Sequence, residues 1–84
     1  MTPRLRQLSA REVVRAFGSF GFQVLSVRGS HAKLRRVLSG GEKQTLTVPL
    51  HKKLAIGTLH AIYRQGLRYI PEADLRSWFF SEDH

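Results

Sequence analysis

The chain contains no cysteine, which removes disulfide frameworks and thiolate zinc sites from consideration and agrees with a reducing, cytoplasmic setting. Acids are scarce: six Asp and Glu stand against fourteen Lys and Arg, for a net charge of +8. The imbalance is uneven along the chain. Residues 1–71 hold thirteen of the cations against only Glu12 and Glu42, net +11, whereas residues 72–84 hold Arg76 against Glu72, Asp74, Glu82 and Asp83, net −3. A body of this kind attracts polyanions and draws much of its affinity from displaced counterions. No apolar run approaches the roughly 20 residues of a membrane span, and the opening "MTPRLRQL" has no apolar signal-peptide core. A membrane partner is therefore not expected. Internal repeats, low-complexity tracts and linkers are also missing.

What is present suffices for one small domain, 1–84. With 42% hydrophobic residues, including five Phe, one Trp and two Tyr, the chain has material for a core and does not read as disordered. "LSAREVVRAFGSFGF" opens with a helix start: Ser9 as N-cap, Glu12 as the capping-box acid, Leu8 and Val13 as the staple. Val13, Val14, Phe17 and Phe20 form the apolar stripe, so Gly18 is expected inside this helix and Gly21 at its end. "FQVLSV", "HAKLRRVL" and "QTLTVPL" are strand-like and separated by the Arg28-Gly29-Ser30 and "SGGEK" turns, which predicts a meander. Alternation in the second strand puts His31, Lys33 and Arg35 on the solvent face, and Ala32, Leu34 and Leu38 on the other. A second helix follows, with Leu59, Ile62 and Tyr63 at helical spacing and Gly66 at its C′ position. Pro71, with Glu72 and Asp74 behind it, begins a short third helix carrying Leu75, Trp78 and Phe79. The expected class is α+β: a double-stranded-RNA-binding-like α-β-β-β-α order with a three-stranded antiparallel sheet, helices on one face, an open basic face and a short extra C-terminal helix.

Among the candidate chemical groups, His31 stands out, because it follows a Gly-Ser turn and opens a basic strand with its side chain away from the core. Histidine exchanges protons near neutral pH. The residue pattern leaves two roles open, a proton-transfer group or a strand-start residue that only hydrogen-bonds the turn. Gly29 permits a tight path, and Ser30 can bond a phosphate or the turn. His51 precedes Lys52 and Lys53 at the far end of the third strand, which an antiparallel meander returns towards His31; an assisting acid or base, a phosphate contact and an inert surface residue all suit it. Metal chemistry finds no H-E-x-x-H and no paired carboxylates in the basic region, so neither metal nor cofactor is expected. Metal-free acid–base work on a phosphodiester suits RNA, which carries its own 2′-hydroxyl nucleophile, with Lys33, Arg35, Arg36, Lys52 and Lys53 to meet phosphates. Two rival readings are a non-catalytic double-stranded-RNA-binding module and a basic protein whose target is an acidic partner.

"FGF" after the first helix, "RGSH" at the turn, "TVPLH" on the third strand and "IGTLHAIYRQGL" on the second helix together resemble the HicA, or YcfA-like, toxins. The resemblance covers about Ser9 to Leu67, and Gly-Ser-His followed about seventeen residues later by Val-Pro-x-His and then Gly-Thr-Leu is its most specific feature. The chain departs from the pattern at Ile56, where the family often has Pro, and at Leu34, where an aromatic is common. The resemblance implies the toxin component of a type II toxin–antitoxin system: a metal-independent mRNA interferase of double-stranded-RNA-binding-like fold. It implies that His31, in the Gly-Ser-His turn, is the catalytic histidine. RNA is then expected to lie against Arg28, Gly29, Ser30, Lys33, Arg35, His51, Lys52 and Lys53. A HicB-type antitoxin covering the active surface is the implied protein partner.

Overall fold

The computed structural model describes residues 3–81, in the order β1 (Arg4–Leu5), α1 (Ala10–Gly18), β2 (Gln23–Arg28), β3 (His31–Val37), β4 (Lys43–Pro49), α2 (Ile56–Gly66), α3 (Glu72–Phe79) and β5 (Phe80–Ser81). The acidic end formed by Glu82 and Asp83 lies outside the described residues. Leaving aside the two-residue strands, the order is the expected α-β-β-β-α with a C-terminal helix.

Local chemistry explains how α1 begins. Ser9 Oγ accepts from the Glu12 amide (3.1 Å) and Glu12 Oε1 accepts from the Ser9 amide (3.0 Å), completing the capping box. The Ser9 hydrogen bonds, the backbone amide foremost, hold the Glu12 carboxyl below the usual carboxylate range. The helix stops earlier than the apolar stripe suggests. Gly18 is its last residue, and the chain tightens through bonds from Phe20 N to Phe17 O and from Gly21 N to Gly18 O before Gly21 turns it with φ +94°. Val13 and Phe17 are buried, while Val14 and Phe20 are half-buried.

The sheet order is β2-β3-β4, antiparallel throughout, with His31 opposite Arg28 on one side and Pro49 on the other. Gly29 (φ +56°) and Ser30 form the two-residue connection between β2 and β3, where the first central residue needs a positive φ that glycine supplies without strain. Ala32, Leu34, Leu46 and Val48 line the covered face and pack with Val13 and Phe17 of α1, Leu59, Ile62 and Tyr63 of α2, and Leu75 and Phe79 of α3. Each of the Val, Leu, Ile and Phe side chains among them contributes about 1.5–3 kcal/mol by leaving water. The third helix packs on this core: Phe79 is fully buried, and its ring lies 5.3 Å from that of Tyr63. Burial, followed by the nearby Glu72 carboxylate, pushes the Tyr63 phenol up, and its hydroxyl donates to Glu72 Oε2 (3.2 Å).

Three features were not legible as such. Gly66 does not act as a left-handed cap; it is the last residue of α2, followed by Leu67 in ordinary helical geometry. A Cβ there would sit 2.7 Å from Leu75 Cδ2 and 2.9 Å from Phe17 Cε1, so glycine is required by close packing. The chain ends are joined by the small antiparallel pair β1–β5, Leu5 opposite Phe80. Arg36, counted above among the cations for phosphates, is turned inward instead. Its guanidinium bonds Gln44 Oε1, the Phe20 carbonyl (2.9 Å) and the Tyr69 carbonyl (3.1 Å), with Cζ 4.7 Å from the centre of the Phe22 ring. Period two places it with Ala32 and Leu34, and its reach lets the charge cross to the carbonyls at the sheet end. Arg36→Met is expected to lower unfolding free energy by about 2–3 kcal/mol, read by urea titration, because charge-assisted bonds are lost together. An unchanged midpoint would return Arg36 to the solvent side of the account.

Candidate nucleic-acid interface

Alternation along β3 sends successive side chains to opposite faces, and three helices occupy only one of them. His31 and Lys33 are exposed on the other face, with Arg35 half-buried beyond them. Arg28, Ser26 and Gln23 of β2 stand opposite His31, Lys33 and Arg35 in the ladder, while Thr47 stands opposite Lys33 from β4. The register of β2 slips between Val24 and Ser26, and the extra residue, Leu25, also reaches this face.

These residues enclose a shallow hollow of about 530 Å³, lined by Leu25, Ser26, Arg28, His31, Lys33 and Thr47 with Ala32 beneath. Among the described residues no acid lines it, and none sets a carboxylate against the Arg28 and Lys33 charges there. The His31 ring is open to solvent, and Nδ1 lies 3.4 Å from Ser30 Oγ. Among the described residues no hydrogen bond engages Nε2. An imidazole with a free edge beside two cations can exchange a proton with a hydroxyl next to a docked phosphodiester, and the cations can offset charge gathering on the phosphate oxygens.

The structure thus brings Arg28, Ser30, His31 and Lys33 together around the Gly29 turn. Arg35 lies farther along the same face in a second hollow, with Gly21, Gln23, Val24, Leu25 and Val37, and its Nε is buried without a hydrogen-bond partner. The end of β4 does return to the turn, since Leu50 N donates to Ser30 O. His51 and Lys52, however, line a different depression, between α1 and β2, and His51 is held through its carbonyl by Ala10 N (3.0 Å). Lys53 is exposed and lines neither hollow. Thr47 and Leu25 were missed as lining residues: Thr47 follows from strand alternation once the register is known, whereas the bulge that turns Leu25 outward leaves no mark in the pattern. Among the described residues no three His, Asp or Glu side chains gather as a metal site, and no helix is long and apolar enough to cross a membrane.

Residues 10–67 match the family model described as the HicA toxin of bacterial toxin-antitoxin. No curated protein and no solved structure gives a significant match. The matched segment runs from the start of α1 to the residue after α2 and so contains the whole sheet and every residue of the His31 hollow.

Proposed function

The chain belongs to the HicA toxin family, and from that premise we propose that it is an endoribonuclease, an mRNA interferase that cuts RNA with His31 and without a metal ion. Family membership also implies an antitoxin as its protein partner, and we propose one of the HicB type. The observation that carries the cleavage reading is the solvent-open imidazole of His31 beside Arg28 and Lys33, at a hollow that no acid among the described residues lines.

In this mechanism His31 takes the proton of a ribose 2′-hydroxyl, the 2′-oxygen forms a bond to the adjacent phosphorus, and the bond from phosphorus to the 5′-oxygen breaks. Water protonates the departing 5′-oxygen. Arg28 and Lys33 hold the phosphate and stabilise the charge that builds on its oxygens, while Ser30 steadies the ring. Arg35 meets a neighbouring phosphate farther along the strand, and Lys52 and Lys53 add long-range attraction.

Purified protein incubated in EDTA with a defined single-stranded RNA tests this reading: the RNA is cut, and binding weakens with salt. Three phosphates met by Arg28, Lys33 and Arg35 give a log-affinity against log-salt slope of about −2, and Arg35→Gln makes it shallower by about 0.7. Salt-sensitive binding without any scission would instead make the protein a binding module.

A further inference from the structure

We propose that the antitoxin docks on β2, adding an extended segment of alternating apolar and acidic residues to the free edge of this strand. The premise for a partner is membership of the toxin family, not the cleavage mechanism. Among the described residues β2 is paired on one side only, every one of its six residues is exposed, and Val24, Leu25 and Val27 are 48%, 48% and 54% accessible. Proteins ordinarily blunt such an edge with charge, a bulge or a cover, because an open ladder recruits another strand; of these, β2 carries the Leu25 bulge and, at its end, the Arg28 charge. Here the edge is aliphatic.

The two sides of β2 differ in a way that specifies the occupant. Val24 and Val27 pair with Leu34 and Ala32, so they face α1, yet that helix leaves a groove of about 480 Å³ beside them. Val14 and Leu50 help to form its apolar lining, with Arg11 and Lys52 also among the lining residues. Ser26 and Arg28 face the opposite side, with Lys33 and His31. A strand laid along β2 sends alternate side chains to the two sides, so apolar ones enter the α1–β2 groove and the others stand beside Arg28, with Lys33 one strand further in. Acids suit that second set, and they also suit a body whose residues 1–71 carry net +11. The same segment would then anchor itself in the groove and screen His31 from RNA.

An end-blocked peptide of about nine alternating valine and glutamate residues, long enough to span β2, serves as the probe, titrated into the full chain and followed by amide and methyl NMR. The expected shifts fall on Gln23–Arg28 and on the methyls of Val14, Val24 and Val27. Val27→Glu, at an exposed position, weakens binding by about tenfold or more and leaves RNA cleavage unaltered. A valine–lysine twin that binds equally well, shifts confined to other elements, unaltered affinity in Val27→Glu, or no binding at all would each overturn the proposal. If the RNA is never cut but the shifts and the Val27→Glu loss appear as stated, the docking site stands and the cleavage reading falls.

Discussion

His31→Ala is expected to lower the rate of RNA cleavage by about 100- to 10,000-fold, the range that a positioned acid–base group supplies, and to leave the protein folded. The ring is exposed and, among the described residues, its one polar contact is the 3.4 Å approach to Ser30, so its removal opens no cavity. Substitutions at such surface positions change stability by about 0.5 kcal/mol or less. RNA affinity should change little, since Arg28 and Lys33 remain to hold phosphate. Single-turnover cleavage beside filter binding separates the two quantities. Equal losses in affinity and rate would make His31 a contact residue, and a wild-type rate in a folded variant would remove it from the mechanism.

The second large effect is on stability. Phe17→Ala is expected to cost about 3–5 kcal/mol, a large share of the roughly 5–15 kcal/mol that holds a small domain together. Phe17 is fully buried, its ring lies 5.9 Å from that of Phe22 and 6.0 Å from that of Phe79, and it closes against Gly66. Gly66→Ala alone should cost about 1–3 kcal/mol by overpacking, despite alanine's better helix propensity. Phe17→Leu removes the ring atoms that the new methyl meets at 2.9 Å and 3.2 Å, so in that background part of the Gly66→Ala penalty disappears. Chemical denaturation of the four proteins of this cycle measures the coupling. Strict additivity would show that Leu75, 2.7 Å from the same Cβ position, sets the limit by itself.

The contrast between these residues explains what could be read before the fold was seen. Ser9 with Glu12, the Gly29-Ser30 turn and the alternation His31, Lys33, Arg35 are local signals, each set by neighbours within a few positions, and each holds in three dimensions. Gly66 has the same one-letter appearance as a terminating glycine, yet its reason is the approach of Phe17 and Leu75 from two other helices, which no local pattern encodes. Arg36 fails for a related cause. Its charge suggests solvent, while the register places its stem on the covered face and only the distant Phe20 and Tyr69 carbonyls make that position tolerable. The short β1–β5 pair is likewise a consequence of how the ends meet, two residues being too few to carry periodicity.

For the candidate site, the turn and β3 supplied Arg28, Ser30, His31 and Lys33 directly. Proximity in topology was a poorer guide for His51. The end of β4 does reach the turn through Leu50, but two further residues carry His51 to the α1 side of the sheet. A strand end can be close in main-chain terms while its next side chains serve the opposite face. That division keeps the His31 hollow on one face of the sheet apart from the groove beside α1.

The role given to the ribose is tested most directly by an RNA of defined sequence and its twin bearing a single 2′-deoxy sugar at the cut position, both incubated with the protein in EDTA. Attack by the 2′-oxygen predicts a 2′,3′-cyclic phosphate and a 5′-hydroxyl on the fragments of the first, and an intact second. Fragments ending in 5′-phosphate, or scission of the deoxy twin at the same place, would contradict it.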